Sequence, residues 1–554
     1  MGKLGRGLLV LLCVALSMSV IAACGDDDDD GGGGGTGEGG KQGGSIRIGM
    51  LSQPDFLDPA SAYTVNAWEP LWLVYTPPLT YKRAEGEEGS QIIPGLAEEL
   101  PTISEDGLTY EFTIRKGMKY ADGTPVKASD FEHTIKRVLI QESGGSGFFL
   151  GIEGAEKFAD AGDENGDIPG IETDNQTGNV TIELTEPDGT FTNVLATNFA
   201  GMVPEGTSFE ILTKNPPPGV GPYTITESVP NRQFVMERNK NFNIPGIPKG
   251  NVDTITVQII KSQERITQDV INGELDYSHD PPPADLLPEV RATNQDRYRE
   301  FPVVDIRYFW MDQNIPPFDD ERVRQAVNYA VDKRAISRLY GGLLEPTCNF
   351  LPPNMPGYEE IDPCPYGDPN EPPDVERARQ LIQEAGAEGE KVTVWGNTDN
   401  PTPKTTEYMT DVLNKIGLDA EPRIIDAGVF FQTIGNAKTK AQAGYAGWFQ
   451  DFPHPANFFQ LVTEVGIAPT NAINYGDVND PEITGIYEEL KQEAELESVA
   501  DQWAEADRML IEGAYLVPWG NAKEALHLSE RMDFENCALI HPLYKLDYSS
   551  LCLK

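Results

Sequence analysis

Residues 104–117 read Ser104-Glu105-Asp106-Gly107-Leu108-Thr109-Tyr110-Glu111-Phe112-Thr113-Ile114-Arg115-Lys116-Gly117, and residues 120–132 read Tyr120-Ala121-Asp122-Gly123-Thr124-Pro125-Val126-Lys127-Ala128-Ser129-Asp130-Phe131-Glu132. Leu108, Tyr110, Phe112 and Ile114 alternate with polar residues, the pattern of a half-buried strand. Asp122-Gly123 predicts a tight turn. Ser129-Asp130-Phe131-Glu132 has the form of a capping box, and Phe131, Ile135 and Val138 continue one helical face. A strand, a turn and a capped helix in so short a span predict mixed α and β structure.

The same alternation of elements runs outward in both directions. Asn179-Val180-Thr181-Ile182-Glu183-Leu184 predicts another strand. Asp320 opens a helix whose inner face carries Val323, Val327, Ala330 and Val331. A further helix runs through Val375, Ala378, Leu381 and Ile382 and stops near Gly386. Another, from Tyr408 to Ile416, is closed by Gly417. From residue 44 onward the chain is too long for one core, so two or three lobes are expected. No repeat at a fixed period is visible.

The N-terminal end predicts the compartment. Lys3 and Arg6 precede the apolar run Leu8-Leu9-Val10-Leu11-Leu12-Cys13-Val14-Ala15-Leu16, which is short for a membrane span of about 20 residues and reads as a secretory signal. Ile21-Ala22-Ala23-Cys24 resembles the bacterial lipobox, in which the cysteine becomes the lipid-modified first residue. Five acids, Asp26 to Asp30, and a glycine-rich run follow, and predict an extended tether. Gly35 to Lys41 has the glycine and lysine spacing of a phosphate-binding loop, but Gln42 stands where Ser or Thr is needed and no strand precedes it.

The chain carries 43 basic and 88 acidic residues, a formal net charge of −45. Such a surface repels nucleic acid and anionic headgroups. It also argues against an anionic cargo unless a basic pocket overrides the average. Beyond Cys13 and Cys24 four cysteines remain, Cys348, Cys364, Cys537 and Cys552. Outside the cytosol an even set predicts disulfides, in any of three connectivities. Short loops favour Cys348–Cys364 and Cys537–Cys552, each constraining the unfolded chain by about 3 kcal/mol.

Catalytic signatures are missing: there is no H-E-x-x-H and no G-x-S-x-G. His133, His279, His454, His527 and His541 lack metal-ligand spacing, and no pattern calls for a metal or a cofactor. Asp163-Glu164-Asn165-Gly166-Asp167-Ile168 with Glu172 approaches a calcium loop, but Ala161 occupies its first position, so a solvated acidic turn is expected. One stretch does ask for a partner: Gly447-Trp448-Phe449-Gln450-Asp451-Phe452-Pro453-His454-Pro455-Ala456-Asn457-Phe458-Phe459. Two prolines stop regular structure there, and a single carboxylate, Asp451, lies among aromatic rings.

Several segments in order resemble the extracellular solute-binding protein family 5, the oligopeptide- and dipeptide-binding receptors of ABC importers. They are Gly95-Leu96-Ala97-Glu98-Glu99-Leu100 running into the 104–131 stretch, Gly221-Pro222-Tyr223 with Glu237-Arg238-Asn239, Asn272-Gly273-Glu274-Leu275-Asp276, Pro317-Phe318-Asp319-Asp320-Glu321-Arg322-Val323-Arg324-Gln325-Ala326 with Ala330-Val331-Asp332-Lys333, and the Asp451 stretch. Two departures are His454-Pro455 where the family often has Asp-Pro, and Asp312 where it often has Asn.

The resemblance implies an α/β protein with a two-lobed, periplasmic-binding-protein-like type II fold and an extra small domain. The implied division is a lipoprotein signal at 1–23, a tether at 24–43, lobe I at 44–80, 200–300 and 511–554, the extra domain at 81–199, and lobe II at 301–510. It implies a monomeric receptor outside the cytoplasm, anchored to the membrane through Cys24, that closes on a peptide and docks on an ABC permease. In peptide-binding members an Asp in the matching loop pairs with the ligand's α-ammonium, and here the match falls on Asp451, with Trp448 and Phe449 just before it. Tyr63, Thr64 and Trp519 are further candidates for the pocket wall. A metal chelate, an opine or an oligosaccharide as cargo, a secreted hydrolase, and a surface interaction protein without cargo are the alternatives.

Overall fold

The computed structural model describes residues 41–493 and 495–554. The signal, Cys24 and most of the tether lie outside the described residues. Two large cores organise the described chain, each under its own sheet.

The first sheet has five strands. Ser45–Met50 lies parallel between Thr254–Ile259 and Tyr277–Ser278, and Gln233–Arg238 and Tyr223–Val229 extend it in antiparallel pairing. Ile46, Ile48, Met50, Ile255 and Val257 are completely buried, as expected of strands covered on the face that meets the core. The chain's two ends meet here: Lys41 bridges Leu553, which also bridges Met532.

The second sheet runs Tyr298–Pro302, Leu516–His527, Asp305–Met311, Ala443–Phe449, Lys391–Asn397, Asp419–Ile425, with Leu344–Pro346 also paired to Leu516–His527. Lys391–Asn397 and Asp419–Ile425 are parallel and joined by the helix Thr402–Ile416, because parallel neighbours need a long crossover. The helices Glu321–Ala330 and Val375–Ala385 cover the same core. Asp320 caps the first by accepting from the backbone of Arg322 at 2.9 Å, and Gly386 (φ 70°) ends the second. Gly417 ends Thr402–Ile416 at φ 113°, a conformation that Cβ disfavours. That helix begins six residues before the expected Tyr408.

The 104–132 stretch forms the strand Thr109–Thr113 and the helix Ser129–Ile140 of a smaller domain. Its sheet is antiparallel, in the order Thr102–Ile103, Thr109–Thr113, Asn179–Glu183, Ile171–Thr173. Phe131, Ile135 and Val138 are completely buried. The expected capping box does not form. Ser129 Oγ turns to Glu205 at 3.2 Å and Glu132 pairs with Lys136 at 2.6 Å. Asp130 accepts instead, from the backbone of Lys127 at 2.8 Å and the hydroxyl of Tyr120 at 2.9 Å. A buried carboxylate must satisfy its oxygens, and Asp130 does so with donors outside the helix. Arg137 of this helix forks onto Asp58 of the first lobe at 2.8 and 2.6 Å, with both side chains fully buried.

The strand expected with the first lobe, Leu516–His527, belongs to both halves. Leu516, Val517, Trp519 and Ala522 lie in the second core, whereas Leu526 lies in the first. Its antiparallel partner Tyr298–Pro302 carries Phe301, which packs against both cores. This ribbon runs between the two cores, so the boundary expected at 300/301 cuts the strand Tyr298–Pro302, and the one expected at 510/511 falls inside the helix Ala500–Glu512. Both expected disulfides, Cys348–Cys364 and Cys537–Cys552, are formed.

Candidate functional site

The strand Ala443–Phe449 delivers the aromatic loop to the cleft. It pairs antiparallel with Asp305–Met311 up to Phe449 opposite Asp305. Pro453 and Pro455 then bar further pairing, and the short helix Ala456–Phe459 follows. Asn457 organises the turn. Its Oδ1 accepts from the backbone of Asp451 at 2.9 Å and from the Trp448 indole at 3.0 Å, and its Nδ2 donates to Asp451 Oδ2 at 2.8 Å.

Asp451 is 7% exposed. The Tyr63 hydroxyl also donates to its Oδ2, at 3.1 Å. Oδ1 accepts nothing from the described residues, and no cation among them lies within ion-pair distance. Burial pushes the carboxyl up to about 7, against the pull of the Asn457 and Tyr63 donors. Among the described residues the partners of Asp451 are therefore neutral, and one of its two oxygens accepts nothing.

Tyr63 and Thr64 are placed by Asp55, whose carboxylate accepts from both of their backbone amides, at 2.8 and 3.2 Å, and from the Thr64 hydroxyl at 2.9 Å. The Tyr63 ring meets Phe199, Trp68 and Trp448 with centroids 5.2 to 6.2 Å apart. Tyr63, Thr64, Trp448, Phe449 and Asp451 all line one cavity of about 1190 Å³ between the two cores. That is slightly above the usual range for small-ligand sites, about 300–1,000 Å³.

Trp519 does not join them. It is completely buried and stacked between Phe309 and Tyr445, because its strand is central in the larger sheet and covered on both faces. The two departures from the family pattern are scaffold. His454 Nδ1 accepts from the Ala456 amide at 3.1 Å, and burial lowers the ring to about 4, so it is neutral. Asp312 caps the Asn314 amide at 2.8 Å, and burial lifts it to about 6. The 163–172 loop turns through Asp163, which accepts from the Asn165 and Gly166 amides.

The family model of the bacterial extracellular solute-binding proteins, family 5 (Middle), matches residues 91–467, more than half of the chain. The chain belongs to this family. Family 5 comprises solute-binding proteins of ABC importers. Among its relatives, the dipeptide-binding protein DppE of Bacillus subtilis (strain 168) is 24% identical over 490 residues, covering 85% of this chain and 86% of the relative. The family-5 fold is equally clear in solved structures. The clavulanic acid biosynthesis oligopeptide binding protein 2 superposes with a TM-score of 0.82 at 23% identity, over 93% of this chain and 96% of that one. Haemophilus influenzae OppA, in complex with RPPGFSPFR, superposes with a TM-score of 0.75 at 18% identity, over 93% and 99%. The family-5 protein is thus two-lobed, of the type II periplasmic-binding-protein fold, and its family works outside the cytoplasm. No helix among the described residues is long and apolar enough to cross a membrane.

Sequence reasoning overlooked Asn457, although it lies in the aromatic loop itself. A side-chain amide that bonds three groups leaves no periodic signal. It also missed the buried pair Glu69 and His279, which approach to 3.1 Å from distant parts of the chain. Burial alone would lower His279, but Glu69 and Asp280 outweigh it and lift the ring to about 10.

Proposed function

We propose that the protein is a lipid-anchored receptor that captures peptides in the inter-lobe cleft by their free N-terminus and delivers them to a membrane permease, with no chemistry of its own. One observation carries this reading: a buried aspartate lines the cavity with an unused oxygen and no cation partner among the described residues. A primary ammonium supplies the missing charge and directional donors together. Asp451 is the proposed anchor, Trp448 and Phe449 flank it, and Tyr63 and Thr64 form the facing wall. The relatives whose names specify dipeptides and oligopeptides support the cargo class. Anchoring through Cys24 is supported by the Ile21-Ala22-Ala23-Cys24 sequence, and the reading takes the receptor as a monomer. Ligand held by both lobes stabilises the closed state about the Tyr298–Pro302 and Leu516–His527 ribbon.

Thermal unfolding of the protein with short peptides tests this, with N-acetylated peptides and Asp451→Asn in parallel. At about 100 times its dissociation constant a ligand adds about 2.7 kcal/mol. Free peptides are expected to raise the transition, and acetylation or Asp451→Asn to abolish the rise. Equal shifts from free and acetylated peptides would remove Asp451 as the anchor. No shift with any peptide would redirect the search to non-peptide solutes.

A further inference from the structure

The charges lining the cavity are unevenly matched. Eight carboxylates and three cations line it. Each cation is already engaged: Arg307 Nε lies 2.8 Å from Asp305, Lys491 Nζ lies 3.1 Å from Asp188, and Lys523 is paired with Glu345. Carboxylate oxygens are left over on both walls. Asp280 follows the strand Tyr277–Ser278 of the first sheet. Its Oδ2 accepts from the Leu51 amide at 2.7 Å, and its Oδ1 accepts nothing from the described residues. Asp399, on the other lobe, precedes the helix Thr402–Ile416, and its carboxylate accepts no hydrogen bond from the described residues.

The walls already touch at this point. Asn400 Nδ2 donates to Gln263 Oε1 at 3.3 Å, and Gln263 Nε2 donates to the Pro281 carbonyl at 2.6 Å. Asp280 and Asp399 each stand one residue from this contact, through Pro281 and Asn400, as like charges on facing walls. Burial first, and then the charges of Asp280 and Asp426, raise the Asp399 carboxyl above its ordinary range, with Lys261 opposing. A second, independent feature points the same way. Glu69 lines the same cavity with its side chain 1% exposed. Its Oε2 meets His279 and the Tyr548 hydroxyl, whereas its Oε1 has no hydrogen-bond partner among the described residues. His279 and Lys545 are the cations near Asp280 and Glu69, and Lys545 is bonded to Glu524 at 2.7 Å.

We propose that Asp280 and Asp399 form a second subsite that receives a lysine or arginine side chain of the cargo, so that the receptor prefers basic peptides. This rests on the peptide reading above and deepens it. An ammonium or guanidinium between the two carboxylates turns their repulsion into two charge-assisted hydrogen bonds, made in full only when the lobes are closed. Such a ligand binds the closed state better than the open one and shifts the population toward it.

Titration calorimetry on the purified full-length chain tests the subsite. The probes are Ala-Lys-Ala and Ala-Ala-Lys, each against its norleucine counterpart, which lacks only the side-chain ammonium. At least one lysine peptide is expected to bind about tenfold or more tighter than its norleucine partner. The preference is expected to shrink in Asp399→Asn, whose carboxylate supports no internal hydrogen bond, and to vanish in the Asp280→Asn/Asp399→Asn pair. Should the pair not fold, Asp399→Asn alone decides. Equal affinities for lysine and norleucine peptides, or a preference that survives Asp399→Asn and the pair, overturn the proposal. If no peptide binds, agmatine is titrated. Agmatine binding that depends on Asp399 keeps the subsite and rejects the peptide reading, and absence of both rejects both.

Discussion

The Tyr63 hydroxyl donates to Asp451 Oδ2 at 3.1 Å across 388 residues of chain, tying the first lobe to the loop that leaves the larger sheet. The bond fixes which oxygen faces the ligand, since Oδ2 is taken by Tyr63 and Asn457 and Oδ1 is left. It also links the lobes at the proposed anchor. Tyr63→Phe keeps the edge-to-face contact of the ring with Phe199 and removes only the donor. Hydrogen bonds to charged groups contribute about 1.5–3 kcal/mol; because this bond is part of the folded chain itself, its loss is expected to lower the unfolding transition of the free protein, and peptide affinity is expected to fall by up to about tenfold by calorimetry. Unchanged affinity would mean that the link does not serve binding.

Asp451 makes stability and binding run oppositely with pH. Burial pushes its carboxyl up to about 7 in the folded protein, against the ordinary value of 3.8 in the unfolded chain. The folded state holds the proton more tightly, so this group's contribution to stability is complete below about pH 4 and is lost as pH rises through 7. Asp451→Asn cannot ionise. It is expected to stabilise the free protein at pH 8, by up to a few kcal/mol, and to change it little at pH 4. Affinity for a free N-terminus needs the carboxylate and the protonated amine, so it is expected to peak between about pH 7 and 8, to weaken by up to about tenfold per unit below, and to fall again above about pH 8 as the α-ammonium loses its proton. Calorimetry in buffers of different ionisation heat should show proton release at pH 7. Affinity that is flat from pH 5 to 8 would contradict the anchor.

Arg137 and Asp58 are a fully buried bidentate pair between the small domain and the segment that leads to Tyr63. Removing one member leaves the other charged and uncompensated, a loss of about 3–5 kcal/mol. Arg137→Ala is expected to lower denaturant stability by this amount. An effect below about 1 kcal/mol would show that water or a rearranged neighbour replaces the guanidinium.

Trp519 separates packing from recognition. Its indole is stacked between Phe309 and Tyr445 and does not reach the cavity. Trp519→Phe is expected to destabilise the protein by about 1–3 kcal/mol and to leave peptide affinity within about twofold. A selective loss of affinity at unchanged stability would restore it to the site.

Local features were legible in the sequence because their causes are local. Asp320 caps a helix through an amide two residues on, and Gly386 and Gly417 end helices by adopting a conformation open to glycine. The 104–132 stretch gave its strand and helix correctly, yet its cap was misread, since burial of Asp130 depends on the Glu205 segment and Tyr120 rather than on spacing. Trp519 was misplaced for a related reason: a strand returning toward the first lobe looks the same whether it borders the cleft or runs through the middle of a sheet. Asp451 stood out because a lone acid among rings needs a partner. Asp280, Asp399 and Glu69 did not, since among 88 acids only the fold selects those that face each other.

The meeting of Lys41 with Leu553 has a consequence for how the molecule is made. Ser45–Met50 is an inner strand of the first sheet, but its neighbours come from residues 254–259 and 277–278, and the core beneath it includes Tyr548 and Leu551. A chain that emerges N-terminus first exposes this strand at the start and completes its surroundings only at the end. Roughly 500 residues separate the two, which at about 5–20 residues per second is about 25–100 s of synthesis. The half of the receptor that begins the chain is therefore the last to be finished: its first strand waits unpaired until residues 254–278 emerge, and the core beneath it stays open until Tyr548 and Leu551 follow.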